Sequence, residues 1–185
     1  MAGLKFRVLL DTDNNTEIFR DILINDTDNF ESFYHAVIKG FGFQGNEMAS
    51  FYVSNDSWDK GHEISLMDMS YDDDSVDSPA AVMKTAKIKD FLEEPDQKFI
   101  LVYDFMRMWI FLIELIGYEK EGPSSPEVLL SVGMAPPEDS RPITGQDDLF
   151  GEFEEEEEED AFGMEDFDDG YDEEDYSGYN EYDYE

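Results

Sequence analysis

"FILVYDFMRMWIFLIELIGY", residues 99–118, is the most apolar stretch of a 185-residue chain whose formal net charge is −36. Its length suits a bilayer span, which takes about 20 residues. Its charges do not: Asp104 and Arg107 would lie near mid-bilayer, with Glu114 beyond them. Burying those three costs about 8 kcal/mol on an insertion scale, whereas the Ile, Leu, Val and Phe side chains return about 3–7 kcal/mol. A buried helix also fits poorly, because the Ile, Val, Phe, Tyr and Trp that dominate the run suit a pleated surface. The run breaks at "DFMRM", which predicts two strands, 97–104 and 108–117, joined as an antiparallel hairpin. Both are apolar on both faces, since Ile100 and Val102 alternate with Leu101 and Tyr103, and Ile110 and Leu112 with Phe111 and Ile113. Strands of that kind belong in the middle of a sheet, covered on each side. Leu112, at the centre of the second strand, is expected to be fully buried.

Working outward, "LKFRVLLD" (4–11) and "EIFRDILI" (17–24) read as strands joined through "DTDNN", where Asp and Asn supply the turn. In the segment that follows, Phe30, Phe33, Tyr34, Val37, Ile38 and Phe41 recur at helical spacing. This predicts a helix over 29–39, capped by Asp28 with Glu31 completing a capping box and ended by Gly40. "MASFYVSND" (48–56) and "HEISLMDM" (62–69) read as a third and fourth strand, "YDDDSVDSP" as a polar loop, and 88–93 and 126–130 as short helices. Residues 1–140 are expected to form one α+β domain, a mostly antiparallel sheet with few helices. A domain of that size buries enough surface for a core without metal or disulfide help.

Charge divides the chain. Residues 147–185 hold 21 acids and no Lys or Arg, including "EEEEEED" at 154–160. Removing those 21 from the 48 acids leaves 27 against 12 bases, a formal −15 for the body. Such a surface argues against a direct nucleic-acid reader, which needs a basic patch, and against an anionic membrane as partner. With no cysteine in the chain, disulfides, zinc thiolates and thiol nucleophiles are excluded. "MAGLKFRVLLDTD" is too short and too charged for a signal peptide, and a cytoplasmic protein is expected. From 141 to 185, few aliphatic residues and one-signed charge predict a disordered acidic tail. Through it are spaced Phe150, Phe153, Phe162, Phe167, Tyr171, Tyr176, Tyr179, Tyr182 and Tyr184. Aromatics held apart by acids stay solvated and available to a partner.

The order of "IFRDILI", "TDNFESFYHAVIKGFGFQ", "DQKFILVYDFMRMWIFLIEL" and "PPED" (136–139) resembles the plasmid pRiA ORF-three-like family, whose members include passenger proteins of insertion elements. The resemblance covers 4–140 and rests on "VYDF", the spacing to Trp109 and "PPED". It implies an α+β fold and no established activity. In that family the hairpin continues Gly-Asp after Tyr-Asp-Phe, where this chain has Met106 and Arg107. A polar residue follows the Trp, where this chain has Ile110. Phe43 stands in place of a Trp at the helix end, and the cysteines around Pro-Pro-Glu-Asp are missing.

Chemical motifs are few. "DTDNNTE" begins like an EF-hand loop, but Thr16 stands where the turn needs Gly and Ile22 where a bidentate Glu is needed, so a hairpin turn is expected. Asp72–Asp74 with Asp77 reads as a solvated loop. His35 and His62 lack the spacing of a metal pair. "GFGFQG" follows a helix rather than a strand, so it reads as a turn and not a phosphate loop. Tyr103, Asp104, Arg107 and Trp109 form the one candidate ligand-contact cluster, with Asp104 facing Arg107 across the turn. No catalytic constellation, metal site or cofactor is predicted. The reading that follows is a non-catalytic binding or adaptor protein whose acidic tail contacts a basic protein partner, and the resemblance to insertion-element passengers implies that this partner is nucleic-acid-associated. The alternative is a small-molecule binder or enzyme with its site at the 104–109 turn. Nothing in the residues indicates an oligomeric state.

Overall fold

The central hairpin forms as its residue pattern requires. In the computed structural model, which describes residues 1–68 and 81–143, strand β6 is Lys98–Tyr103 and strand β7 is Trp109–Glu119, paired antiparallel from Lys98↔Glu114 to Tyr103↔Trp109. Preceding it are β1 (Gly3–Leu10), β2 (Phe19–Asn25), helix α1 (Phe30–Phe41), β3 (Ala49–Ser54), β4 (Glu63–Ser65) and β5 (Ala81–Val82). After it comes β8 (Glu127–Val132). The eight strands form one sheet in the order β5-β4-β3-β6-β7-β1-β2-β8, and every pairing is antiparallel except β4 with β5. The hairpin thus sits at the centre, as expected, and the fold is α+β. All these elements lie in one compact unit, Met1–Asp147.

One face of the sheet carries the core. Leu4, Phe6, Val8 and Leu10 of β1 point to it at every second position, as do Phe99, Leu101 and Tyr103 of β6 and Trp109, Phe111, Ile113 and Leu115 of β7. Helix α1 lies against that face through Phe30, Phe33, Tyr34, Val37, Ile38 and Phe41, the stripe read from the sequence. Phenylalanines interlock across the layer, with ring centroids 4.8 Å apart for Phe6–Phe33, 5.0 Å for Phe30–Phe51 and 4.9 Å for Phe41–Phe111. Tilted and edge contacts of this kind are favoured by the ring quadrupole.

The opposite face is different. Ile100 and Val102 are buried there, but Ile110, Leu112 and Glu114 are half-buried. Full burial of Leu112 is therefore corrected: β7 is covered on its helix face and open on the other. That open face carries a ladder of charges in register, in which Lys98 opposes Glu114, Glu114 opposes Arg7, and Arg7 opposes Asp21. Arg7 and Asp21 make two hydrogen bonds of 2.9 Å. Opposite charges directly across a sheet stabilise it by a few tenths of a kcal/mol to about 1 kcal/mol each.

Several boundaries also differ from expectation. The N-cap of α1 is Asn29, not Asp28, and its side chain accepts the Ser32 amide. The helix runs past Gly40 to a left-handed C-cap at Gly42 (φ 75°). Residues 88–91 form a 3₁₀ turn rather than a longer helix. The expected helix at 126–130 is the edge strand β8, because an isolated apolar run beside β2 completes a ladder that a single helical turn would leave open. "DTDNN" is the β1–β2 connection, closed by the Leu10 amide on the Ile18 carbonyl at 2.9 Å. The polar loop 71–79 lies outside the described residues, and so do residues 144–185 of the 141–185 stretch for which disorder is expected.

Candidate functional site

The sequence-predicted cluster assembles at the turn between β6 and β7. Two residues there, Asp104 (φ 60°) and Met108 (φ 56°), hold the left-handed backbone conformation that suits glycine. For Asp104 the side chain offsets the strain, since its Oδ1 accepts the amides of Met106 (3.0 Å) and Arg107 (3.1 Å). Met108 has no such help from its own side chain; its amide donates to the Asp104 carbonyl at 2.6 Å and its carbonyl accepts from Arg141 at 2.7 Å. Asp104 is buried and faces Arg107 at 3.6 Å, as predicted. Arg107 also donates to the Asp139 and Arg141 carbonyls.

Tyr103 and Trp109, paired across the hairpin, reach the same segment from the core side. The Tyr103 hydroxyl accepts the amides of Gly45 (3.0 Å) and Asn46 (3.2 Å) and donates in a short bond to the Glu138 carboxylate. The other Glu138 oxygen accepts the Gln44 amide at 2.8 Å. Trp109 donates its indole N–H to the Glu138 carbonyl at 3.0 Å. Arg141 stacks over the Trp109 ring at 5.2 Å and approaches Asp13 at 3.9 Å. Phe43, the residue at the helix end, lies 5.1 Å from Trp109 and 5.9 Å from Tyr103. Burial, and then the bond to Glu138, push the Tyr103 hydroxyl far above its usual pKa.

All four predicted contact residues are therefore together, and their polar groups are engaged with one another and with residues 138–141. Three partners escaped the sequence reading. Glu138 was visible only as a letter of "PPED", Arg141 only as the start of the acidic stretch, and Tyr34 only as a core position. The Tyr34 hydroxyl is buried without a hydrogen-bond partner among the described residues. Burial, with Glu138 and Glu47 nearby, pushes it up to about 12.

A cavity of about 420 Å³ opens beside this clamp, lined by Gln44, Asn46, Glu47, Asp104, Arg107 and Glu138 among others. A smaller one of about 190 Å³ lies on the other side of the segment, between the 11–14 loop and Trp109. Among the described residues no group of His, Asp and Glu is placed to hold a metal ion. The aromatic tail residues Phe150 to Tyr184 lie outside the described residues.

Among the described residues, a sheet covered on one face by helix α1, its central hairpin end clamped by a Pro-Pro-Glu-Asp segment, defines a two-layer α+β protein. The chain belongs to the family described as Plasmid pRiA4b ORF-3-like protein, whose model matches residues 2–179. That match runs beyond the 4–140 over which the motifs alone are legible. Among solved structures, the protein of unknown function MM3350 from Methanosarcina mazei Go1 is similar in fold, with a TM-score of 0.60 and 20% identity over 85% of this chain and 84% of its own. No curated protein matches the chain. Among the described residues no helix is long and apolar enough to cross a membrane.

Proposed function

We propose that this protein is a non-catalytic binding or adaptor module that captures a basic, nucleic-acid-associated protein through its acidic stretch. The observation that carries this reading is the commitment of the candidate site. Tyr103, Arg107 and Trp109 spend hydrogen-bonding groups on holding residues 138–141 against the hairpin, Asp104 spends its own on the Met106 and Arg107 amides of the turn, and Glu138 takes up the Tyr103 hydroxyl and the Gln44 amide. A catalytic pair needs a group free to reach a reacting atom. The stretch that follows supplies 21 acids and nine Phe and Tyr with no base. Acids attract a cationic partner at long range and set the encounter rate. The aromatics add buried area and stack on Arg, which lengthens the life of the complex.

Pull-down from native lysate followed by binding kinetics tests this. Changing the nine Phe and Tyr to Ser at constant charge should raise the off-rate and leave the on-rate nearly unchanged. Added salt should slow association, since charge acts over a Debye length of about 8–10 Å. A basic partner that binds a chain lacking 147–185 as tightly as the full chain reduces the stretch to a solubilising appendage.

A second reading, a small-molecule site at the 104–109 turn, draws on the cavity of about 420 Å³ and on the two left-handed residues that frame the turn. Strained backbone concentrates at functional sites. A ligand for this site would shift the amide resonances of Gln44, Asn46 and Arg107 on titration.

A further inference from the structure

We propose that the free edge of β8 is the surface on which two copies of this chain pair, antiparallel and strand to strand, into a symmetric dimer. Among the described residues β8 ends the sheet and its backbone ladder runs along one side only, to β2, with the Val132 carbonyl also taking the Arg20 guanidinium. It spans six residues, whereas β5 at the other edge spans two. Val128, Leu129 and Leu130 are 42%, 46% and 45% exposed, three consecutive large aliphatics on the rim of a strongly acidic protein. An edge strand that long offers a row of N–H and C=O groups, and edges meant to stay single are usually blunted by Lys, Pro, short length or a bulge. "EVLLSV" has none of the first three and does have a bulge. The register against β2 shifts at Leu129, which no β2 residue opposes. Such a bulge sharpens the local twist, but here it leaves an aliphatic side chain at the rim rather than a charge.

The occupant is argued from charge. Glu127 is the one ionised side chain of β8, so the seam offers little to a strongly basic or acidic peptide. A second copy complements it. With the two-fold axis between Leu129 and Leu130, Leu129 of one copy faces Leu130 of the other, Val128 faces Ser131, and Glu127 faces Val132. No like charges stand opposite each other, which antiparallel pairing penalises. A strand paired with itself in this way is isologous and closes on two copies. One strand buries less than the roughly 800 Å² per partner of a standard interface. A net charge of −36 on each copy also repels. The dimer is therefore weak, and salt strengthens it, which is the opposite of the salt effect expected for capture of a basic partner.

Sedimentation velocity on the full chain, over a concentration series at low and high salt, tests this. The dimer fraction should rise with both, and hydrogen exchange at residues 127–132 should slow as it does. Leu130→Lys, at a half-exposed position, should weaken dimerisation by about tenfold or more, because a rim lysine is the usual guard against edge pairing. A chain that stays monomeric at every concentration and salt overturns the proposal. So does a dimer whose 127–132 amides exchange unchanged, or one that Leu130→Lys leaves intact. Should that variant fail to fold by circular dichroism, the exchange result on the unaltered chain decides.

Discussion

The hydroxyl of Tyr34 lies in the core beside the loop that Tyr103 holds, without a hydrogen-bond partner among the described residues. An unmade buried bond costs about 1–3 kcal/mol, so replacing such a group with an apolar one is neutral or favourable. Tyr34→Phe is accordingly expected to hold or raise stability at neutral pH, by up to about 1 kcal/mol in urea unfolding. The alkaline limb should respond too. In the unfolded chain the phenol ionises near its usual 10, whereas in the folded protein burial and Glu138 hold the proton to about 12. The unfolded state therefore loses its proton first. The contribution is fully present below pH 10 and falls away between 10 and about 12, by on the order of 2–3 kcal/mol. Stability of the variant should decline less across that window, while Tyr103, shifted the same way, still contributes. An equal decline in both proteins would show that the Tyr34 hydroxyl is not the group held neutral.

The central hairpin shows how two faces of one strand come to differ. Ile113 is fully buried against the helix layer, whereas its neighbour Leu112 is half-buried on the open face. Ile113→Ala is expected to cost about 2–5 kcal/mol, the range for deleting a buried aliphatic side chain. Leu112→Ala should cost less, about 1–2 kcal/mol, since less of its area leaves water on folding. Equal losses in urea unfolding would mean that the open face is covered after all. The ladder from Lys98 through Glu114 and Arg7 to Asp21 explains why that face tolerates water. Its charges pair sideways across strands instead of packing against a second layer.

At the level of the whole molecule, net charge and local pairing oppose each other. Described arginines Arg7, Arg107 and Arg141 each face a carboxylate, and salt weakens such pairs. Yet 48 acids against 12 bases leave far more repulsion than attraction, and salt weakens that as well. Self-repulsion destabilises a compact state. The melting temperature at dilute protein should therefore rise between low and physiological salt, by about 2–4 °C for roughly 1 kcal/mol relieved. A fall would mean that the ladder and the turn pair outweigh the excess of acid.

By itself the sequence determined the hairpin, the helix stripe, that residues 99–118 are strands and not a membrane-spanning helix, and the family, because each rests on local periodicity or on residues close together in the chain. "FILVYDFMRMWIFLIELIGY" could be read as two strands from its own composition, and Asp104 with Arg107 as a pair from their spacing of three. The tertiary structure alone decided the rest. That Leu112 is half-open depends on which face receives α1, and β7 is apolar on both. That "EVLLSV" is a strand depends on β2 lying beside it, since a run of six residues with four apolar ones fits a helical turn as well. That Glu138 and Arg141 join Tyr103 and Trp109 depends on a segment some thirty residues downstream folding back over the turn, and that Tyr34 lies beside Tyr103 depends on α1 packing on the sheet. Hydrogen bonds across such separations follow from the closure of the whole sheet, and no window of neighbouring residues carries them.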